Sequence, residues 1–260
     1  EEGEWSSYYS NGGLKRTQSF NSGVVTGLVR TYWYNGMPET ETNYNSSGKQ
    51  EGLTKYFDNN GRKFLEEEYH DGLLVKMTTD FSHPDNLAVF GSRDGTFSFK
   101  VFTAEGRLKS EGSYEKGQPA GELKFYYHNG NLKQKVRFKN GQYDGECVSY
   151  HPNGQIESVS FYKDGLLEGK YIEYGLDATV LKTGYYLGNN MNNYWVYYTA
   201  DGSIETTGYY LNGLLDGWYT NYSVDGKIKS RDRFLGGNII SDYQYDPDGN
   251  LINDVNFIET

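Results

Sequence analysis

A cysteine and a histidine four positions apart, Cys147 and His151, are the residues whose types suggest nucleophilic chemistry. A thiol beside an imidazole base can form an activated nucleophile. On one β-strand, however, residues four apart are separated by roughly 13 Å, because the rise is about 3.3 Å per residue. The pair is therefore predicted not to be in contact, and Cys147 is interpreted as a packed thiol.

Two sets of side chains have types that can bind metals. Asp246, Asp248 and Asn250 are typical of the start of a calcium loop, but the twelfth position, where a bidentate acid is needed, is Phe257. A plain hairpin turn is predicted there. The four histidines fall in or beside turns without regular ligand spacing, so no zinc site is predicted. They are His70, His83, His128 and His151.

Acidic residues give no catalytic site either. Glu66, Glu67 and Glu68 are consecutive, but no partner acid can be placed opposite them. The sequence contains neither a nucleophile elbow nor a phosphate-binding glycine loop that enters a helix. The protein is predicted to be non-enzymatic, with no catalytic residue, cofactor or metal.

Composition limits the classes of partner. The chain has 260 residues, a net charge of -10, 33 glycines, 26 tyrosines and one cysteine. Its acidity opposes binding to nucleic acid and direct binding to anionic membranes, and favours a basic partner. No apolar run reaches the ~20 residues of a membrane span. An aromatic content of 17% argues against disorder.

A repeat of about 24 residues organises the chain. Each copy contains an Asn-Gly or Asp-Gly turn, or a variant of it, whose last residue serves here as the anchor of the repeat. An aromatic residue stands four positions before and eight positions after every anchor. The ten anchors are Gly12, Gly36, Gly61, Gly106, Gly130, Gly154, Ala178, Gly202, Gly226 and Gly249.

Each repeat has the pattern of a β-hairpin. Two β-prone runs flank the turn, and a glycine-containing loop leads to the next copy. The register of the strands predicts a turn loop of three or five residues. The predicted fold is all-β, an elongated, twisted antiparallel meander of about eleven stacked β-hairpins. Residues 1–72 are N-terminal repeats, 73–95 a degenerate shortened repeat and 96–260 C-terminal repeats of one continuous array, although the shortened repeat either bulges or divides the array into two lobes.

The motifs FYYHNGNLKQKVRFKNGQYDG and SYHPNGQIESVSFYKDGLLEG resemble the MORN repeat in its bacterial MORN-2 variant. The resemblance implies β-hairpin arrays that act as interaction modules, and related bacterial chains are often labelled antitoxin-like. Two copies depart from the pattern. One has Ala178 at the anchor and Asn189 and Asn193 where loop glycines are expected, and the other has Ser47 and Glu51 there, with the glycines moved to Gly48 and Gly52. Because asparagine tolerates positive φ, these turns are expected to form.

Six aromatic residues are the candidate partner-binding site. In three consecutive repeats, an aromatic residue stands seven positions after the anchor, and the following strand carries another seven positions before the next anchor. Side-chain alternation places both sets opposite the recurring aromatics, so they are predicted to form one stripe across adjacent strands. The six are Phe161, Tyr171, Tyr185, Trp195, Tyr209 and Tyr219. The alternative is that this face is buried by curl of the sheet or by a second lobe.

The leading function hypothesis is a protein-interaction or structural scaffold, bacterial and exported. The alternatives are an immunity or antitoxin protein that binds a basic toxin, and a glycan-binding surface protein that uses the stripe. An extracytoplasmic location is favoured, and a cytoplasmic one fits the antitoxin alternative. Open edge strands also allow edge-to-edge self-association.

Overall fold

The computed structural model describes residues 2–79, 81–82, 85 and 87–257. Within them every regular element is a β-strand, and neighbouring strands of each sheet pair antiparallel, which confirms the predicted all-β meander of hairpins. The described residues form eleven hairpins if β7 and β8 of the shortened repeat are counted as one. No helix in this part of the chain is long and apolar enough to cross a membrane.

The first sheet has eight strands in chain order. They are β1 (Gly3–Tyr8), β2 (Leu14–Asn21), β3 (Val24–Tyr32), β4 (Pro38–Tyr44), β5 (Gly52–Phe57), β6 (Lys63–His70), β7 (Leu73–Thr79) and β8 (Ala88–Gly91).

The second sheet contains the remaining strands, also in chain order, with the short β15 beside β14. They are β9 (Phe97–Phe102), β10 (Leu108–Glu115), β11 (Gln118–Tyr126), β12 (Leu132–Lys139), β13 (Gln142–Tyr150), β14 (Ile156–Lys163), β15 (Leu166–Leu167), β16 (Gly169–Tyr174), β17 (Val180–Leu187), β18 (Asn190–Tyr198), β19 (Ile204–Leu211), β20 (Leu214–Tyr222), β21 (Ile228–Leu235), β22 (Asn238–Tyr245) and β23 (Leu251–Asn256). The break between the sheets follows β8, at the end of the segment predicted as a shortened repeat.

The chain divides into two compact units. Unit 1 is Glu1–Asn131 with Phe138–Gly141, and unit 2 is Leu132–Arg137 with Gln142–Thr260. These boundaries differ from the divisions predicted at residues 72 and 95. Those divisions separate groups of repeats, not compact units, and stay predictions.

The turn inside a hairpin follows from the residue pair that ends at its anchor, Asn-Gly or Asp-Gly in most copies. In the β13–β14 hairpin, Tyr150 pairs with Ile156, so five residues form the loop. Five is one of the two loop lengths predicted from the sequence. The Gly154 N–H donates to the His151 carbonyl at 2.8 Å, and Asn153 Oδ1 accepts the Gln155 N–H at 3.0 Å. The asparagine side chain thus closes the turn locally, while glycine supplies a φ of 90°.

Most loops between hairpins are two-residue turns with positive φ at both positions, the type that matches strand twist, whereas residues 45–51 form a longer loop between β4 and β5. Asn140 and Gly141 adopt φ values of 51° and 76°. Asn189 and Asn193 have φ values of 70° and 61°, which confirms that this departing repeat keeps its backbone. Its anchor, Ala178, also has positive φ, at 66°.

In unit 1 the first strands of the second sheet pack on the last strands of the first. Strand β9 contacts β6 and β7, and the Phe102 N–H donates to Thr79 Oγ1 at 2.9 Å. Several apolar side chains of these strands are buried. They include Leu65, Leu74, Met77, Phe99 and Val101.

Replacing Ala178 with glycine should stabilise the protein. A left-handed conformation costs an L-residue about 1–2 kcal/mol, and the greater entropy of unfolded glycine offsets part of that gain. We expect Ala178→Gly to raise the free energy of unfolding by about 0.5–1 kcal/mol in urea titrations. The matched control, Gly154→Ala, should lower it by about 1 kcal/mol. A loss of stability in Ala178→Gly would contradict the strain at this anchor.

Candidate functional site

The six predicted binding residues lie on two faces of the sheet in unit 2. In the β16–β17 pair, Lys170 is opposite Tyr185 whereas Tyr171 is opposite Gly184. In the β18–β19 pair, Tyr194 is opposite Tyr209 whereas Trp195 is opposite Gly208. Because neighbouring residues of a strand point to opposite faces, Tyr185 and Tyr209 share one face and Tyr171 and Trp195 the other.

The expectation of a single stripe is therefore wrong, and a register shift explains why. In nearly every described hairpin, the register of strand pairing shifts by one residue next to the turn inside the hairpin. In the β13–β14 hairpin the shift lies between Ser149 and Tyr150. Because of the slip, side chains of the second strand that would share a face with given residues of the first strand under regular pairing lie on the opposite face. As a result, the residue seven before the anchor lies on the same face as the aromatic eight after it.

The ring face is named here for its aromatic packing and carries Tyr171, Tyr186, Trp195 and Tyr219. Tyr186 packs edge-on against both Tyr171, at 5.5 Å between ring centroids, and Trp195, at 5.0 Å. Trp195 is 1% exposed, and its indole N–H donates to the Tyr185 carbonyl at 3.2 Å. These residues form part of the packing that holds the strands together.

A glycine makes room for this packing. A Cβ atom at Gly184 would lie 2.1 Å from Trp195 Cδ2, and one at Gly208 would lie 2.9 Å from Tyr219 Cδ2. On the ring face, a large aromatic side chain is therefore accommodated by a glycine on the neighbouring strand. Sequence inspection identified the rings but not the glycines opposite them.

The open face is the opposite side of the same strands. It carries the other three predicted residues and two that the sequence analysis missed, because they stand eight positions before an anchor. The five are Phe161, Tyr185, Tyr194, Tyr209 and Trp218.

Three of the five open-face rings are exposed, and Tyr209 and Trp218 are half-buried. Phe161, Tyr185 and Tyr194 are 37%, 39% and 67% exposed. Tyr194 and Tyr209 pack edge-to-face with centroids 5.0 Å apart. Trp218 lies under the Arg231 guanidinium, 4.0 Å from the ring centroid. Strands β17, β18, β19 and β20 each contribute one ring, so the row crosses four neighbouring strands.

The residues considered for nucleophilic chemistry occupy structural positions. Cys147 is buried, and burial raises the pKa of its thiol. Gln134 Nε2 lies 3.4 Å from the sulfur. His151 Nε2 lies 3.0 Å from the Tyr174 carbonyl, which makes it a bridge to the next hairpin. A protonated, enclosed thiol is a poor nucleophile.

Asp246, Asp248 and Asn250 form a hairpin turn, as predicted. Asp246 Oδ1 accepts the N–H groups of Asp248, at 2.9 Å, and Asn250, at 2.8 Å. Among the residues that the structure describes, no group of three potential ligands could hold a metal ion. His83 lies outside these residues.

Two carboxylate sites stand out electrostatically. In unit 1, Glu67 is 6% exposed and accepts hydrogen bonds from the hydroxyls of Tyr56, at 2.7 Å, and Tyr69, at 2.8 Å. Burial raises its pKa although both hydrogen bonds oppose the shift. In unit 2, Asp232 and Asp242 face each other across β21 and β22. Burial, followed by the hydrogen bond and charge of Asp242, raises the pKa of Asp232 to about 6.

Three segments of the chain match the family model described as MORN repeat variant: residues 1–22, 120–140 and 143–164. Together they cover about a quarter of the chain. The first contains both strands of the β1–β2 hairpin, and the third contains β14 and all of β13 except Gln142. The resemblance to the MORN repeat is confirmed in these segments. Repeats of this type indicate a repeat-based interaction scaffold.

No curated protein matches the chain significantly. Solved structures with some likeness include TcdB2-TccC3 without its hypervariable C-terminal region, at 13% identity and a TM-score of 0.20, with 97% of this chain and 17% of that chain covered. TcdB2-TccC3-Cdc42 has 9% identity and a TM-score of 0.17. The Photorhabdus luminescens Tc holotoxin pore with the TccC3 D651A mutation has 11% identity and a TM-score of 0.17. For both, 97% of this chain and 18% of that chain are covered. The chain thus spans less than a fifth of each, and TM-scores in this range carry no conclusion about it.

Adding one methyl group at Gly184 should disrupt the ring face. Overpacking of this kind typically costs about 1–3 kcal/mol, so Gly184→Ala is expected to lower the free energy of unfolding by that amount. The same change in a Trp195→Leu background should cost clearly less, because the clashing ring is gone. Urea titrations of the four proteins give the coupling energy. Equal costs in both backgrounds would show that Trp195 does not limit this site.

The paired aspartates should make stability fall as pH rises. The pKa of Asp232 in the folded protein, about 6, exceeds its ordinary value of 3.8, so the folded state binds the proton more tightly than the unfolded chain. Asp232 therefore contributes stability below about pH 4 that is lost as pH rises through about 6.

Asp232→Asn removes this repulsion. We expect the variant to raise Tm at pH 8 relative to wild type, with a smaller gain at pH 4.5, in thermal melts across that range. Glu205→Gln, which changes an exposed carboxylate outside the pair, should show no such trend. The same gain at both pH values would refute the assignment.

Proposed function

We propose that the protein is a non-enzymatic protein-interaction scaffold whose partner binds the open face of unit 2. The single observation that carries the proposal is the row of rings on β17 to β20, with Tyr194 67% exposed at its centre. Aromatic rings supply large contact area at low entropic cost and are enriched among residues that dominate binding energy. The MORN-type repeats support the same general role.

The ring face supports this surface from behind. Trp195 fills the space above Gly184 and holds the Tyr185 carbonyl, so the strand that displays Tyr185 is fixed before binding. A surface that is ordered in the free protein loses little entropy when it binds. Of the six residues first predicted, Phe161, Tyr185 and Tyr209 belong to the proposed contact surface. The other three lie on the ring face and hold the strands that carry the contact surface. They are Tyr171, Trp195 and Tyr219.

Two narrower functions use the same chain. A glycan would stack its sugar rings on the same aromatic row. A basic toxin would be attracted electrostatically by the net charge of -10. The open face itself has mixed charge, since Glu146 is opposite Phe161 and Lys170 is opposite Tyr185. We therefore place a protein partner with an apolar contact patch ahead of both.

A double substitution on the open face tests the proposal. The species that the immobilised wild-type chain retains from its native source would be identified, and their affinity for purified variants measured. Tyr185→Ala combined with Tyr194→Ala should weaken binding of the principal protein partner by at least about 30-fold, as loss of about 2 kcal/mol implies. The melting temperature should change little, because both rings are exposed.

Tyr34→Ala is the matched control, since Tyr34 is an exposed tyrosine, 60% accessible, in unit 1. It should bind as wild type does. Partner affinity that survives the double substitution would overturn the proposal. Retention of a carbohydrate instead of a protein would favour the glycan function, and binding of a cationic protein that weakens steeply with salt would favour the toxin-binding one.

A further inference from the structure

Unit 1 contains a cleft of about 600 Å³ that is separate from the open face. It lies where the loops that follow β5, β9 and β11 meet, and Trp33, Phe64, Leu108 and Tyr126 supply its apolar lining. A volume of this size accommodates a small organic molecule. Such clefts usually combine apolar walls with a few polar groups that orient the ligand.

One cation in the cleft has no acidic partner. The Lys109 ammonium lies 3.9 Å from the centroid of the Phe64 ring. Its side chain is exposed to the cleft, while the surrounding protein desolvates it and lowers its pKa. Among the described residues, no acid forms an ion pair with Lys109. A cation–π contact leaves its N–H groups available to an anion.

The neighbouring cation of the cleft is paired with two acids. The Arg62 guanidinium pairs with Asp58, 2.7 Å away, and with Glu105 on the loop after β9. Arg62 therefore links two loops rather than presenting free charge. Among the described residues that line the cleft, Lys109 is therefore the lysine or arginine left available to a ligand.

The aromatic walls are fixed by hydrogen bonds. The Trp33 indole N–H donates to the Phe57 carbonyl at 3.2 Å, and the Tyr126 hydroxyl donates to Glu111 at 2.7 Å. The rim is also tied, because Arg107 donates to the His128 carbonyl at 3.1 Å. A ligand would thus enter a formed cleft rather than order it.

We propose that this cleft binds a small organic carboxylate carried on a ring, with the carboxylate at Lys109 and the ring against the aromatic lining. The charge at Lys109 selects the anion, and the apolar walls select a ring over a free inorganic ion. An aromatic acid and an acidic sugar share this chemistry. The site is independent of the proposed partner surface, which lies in unit 2.

Isothermal titration with matched ligand pairs tests the inference. Phenylacetate is compared with phenylacetamide, and D-glucuronate with D-glucose, each against the full chain. At least one carboxylate should bind saturably and at least tenfold more tightly than its neutral counterpart. Saturation by phenylacetate alone identifies the aromatic acid, and saturation by glucuronate alone identifies the acidic sugar. If neither carboxylate saturates, or if the neutral compounds bind equally well, the inference is wrong.

Substitutions at Lys109 locate the bound anion. Lys109→Met should weaken carboxylate binding at least tenfold, while Lys109→Arg should keep it within about threefold because it retains the charge. Lys163→Met, which removes an exposed lysine of β14, should have no effect. Unchanged affinity in Lys109→Met would overturn the assignment. The Tyr185→Ala, Tyr194→Ala protein should bind the carboxylate as wild type does, so failure at one site is distinguishable from failure at the other.

Discussion

The one-residue slip in pairing beside the long turn decides which side chains meet in this protein. It places the residue seven before each anchor against the aromatic eight after it, and the same ring contact recurs in separate hairpins, as Trp5–Phe20, Phe99–Tyr114 and Tyr171–Tyr186 show. Without the slip these rings would lie on opposite faces. The apolar packing of the sheet, the need for Gly184 and the composition of the open face all depend on it.

Much of the fold could be predicted because the turn residues are local signals. An Asn-Gly pair closes a turn through contacts within five residues, so its chemistry can be read without knowledge of the tertiary structure. The slip is different, since it arises from pairing between two strands, and no single residue type marks it. Parity arguments therefore placed Phe161 and Tyr185 with Trp195, and they missed Tyr194 and Trp218 altogether.

The sites outside the repeat pattern were least visible in the sequence. Lys109 and Phe64 are 45 positions apart and meet only because two hairpins approach each other in unit 1. Asp232 and Asp242 are likewise ordinary acids until strand pairing brings them opposite each other. The two facing aspartates oppose the general preference for paired or solvated charges. Such local conflicts are typical of places where a protein carries something other than stability.

The repeat length also bears on how such a chain changes during evolution. After one copy of about 24 residues, the backbone has crossed the sheet twice and returns with the same direction and the same face. Duplication or loss of a whole copy therefore changes the number of strands without inverting any side chain, whereas insertion of one residue within a strand would move its rings to the other face. The length of the array is free to vary in steps of one hairpin, and its two faces are inherited intact.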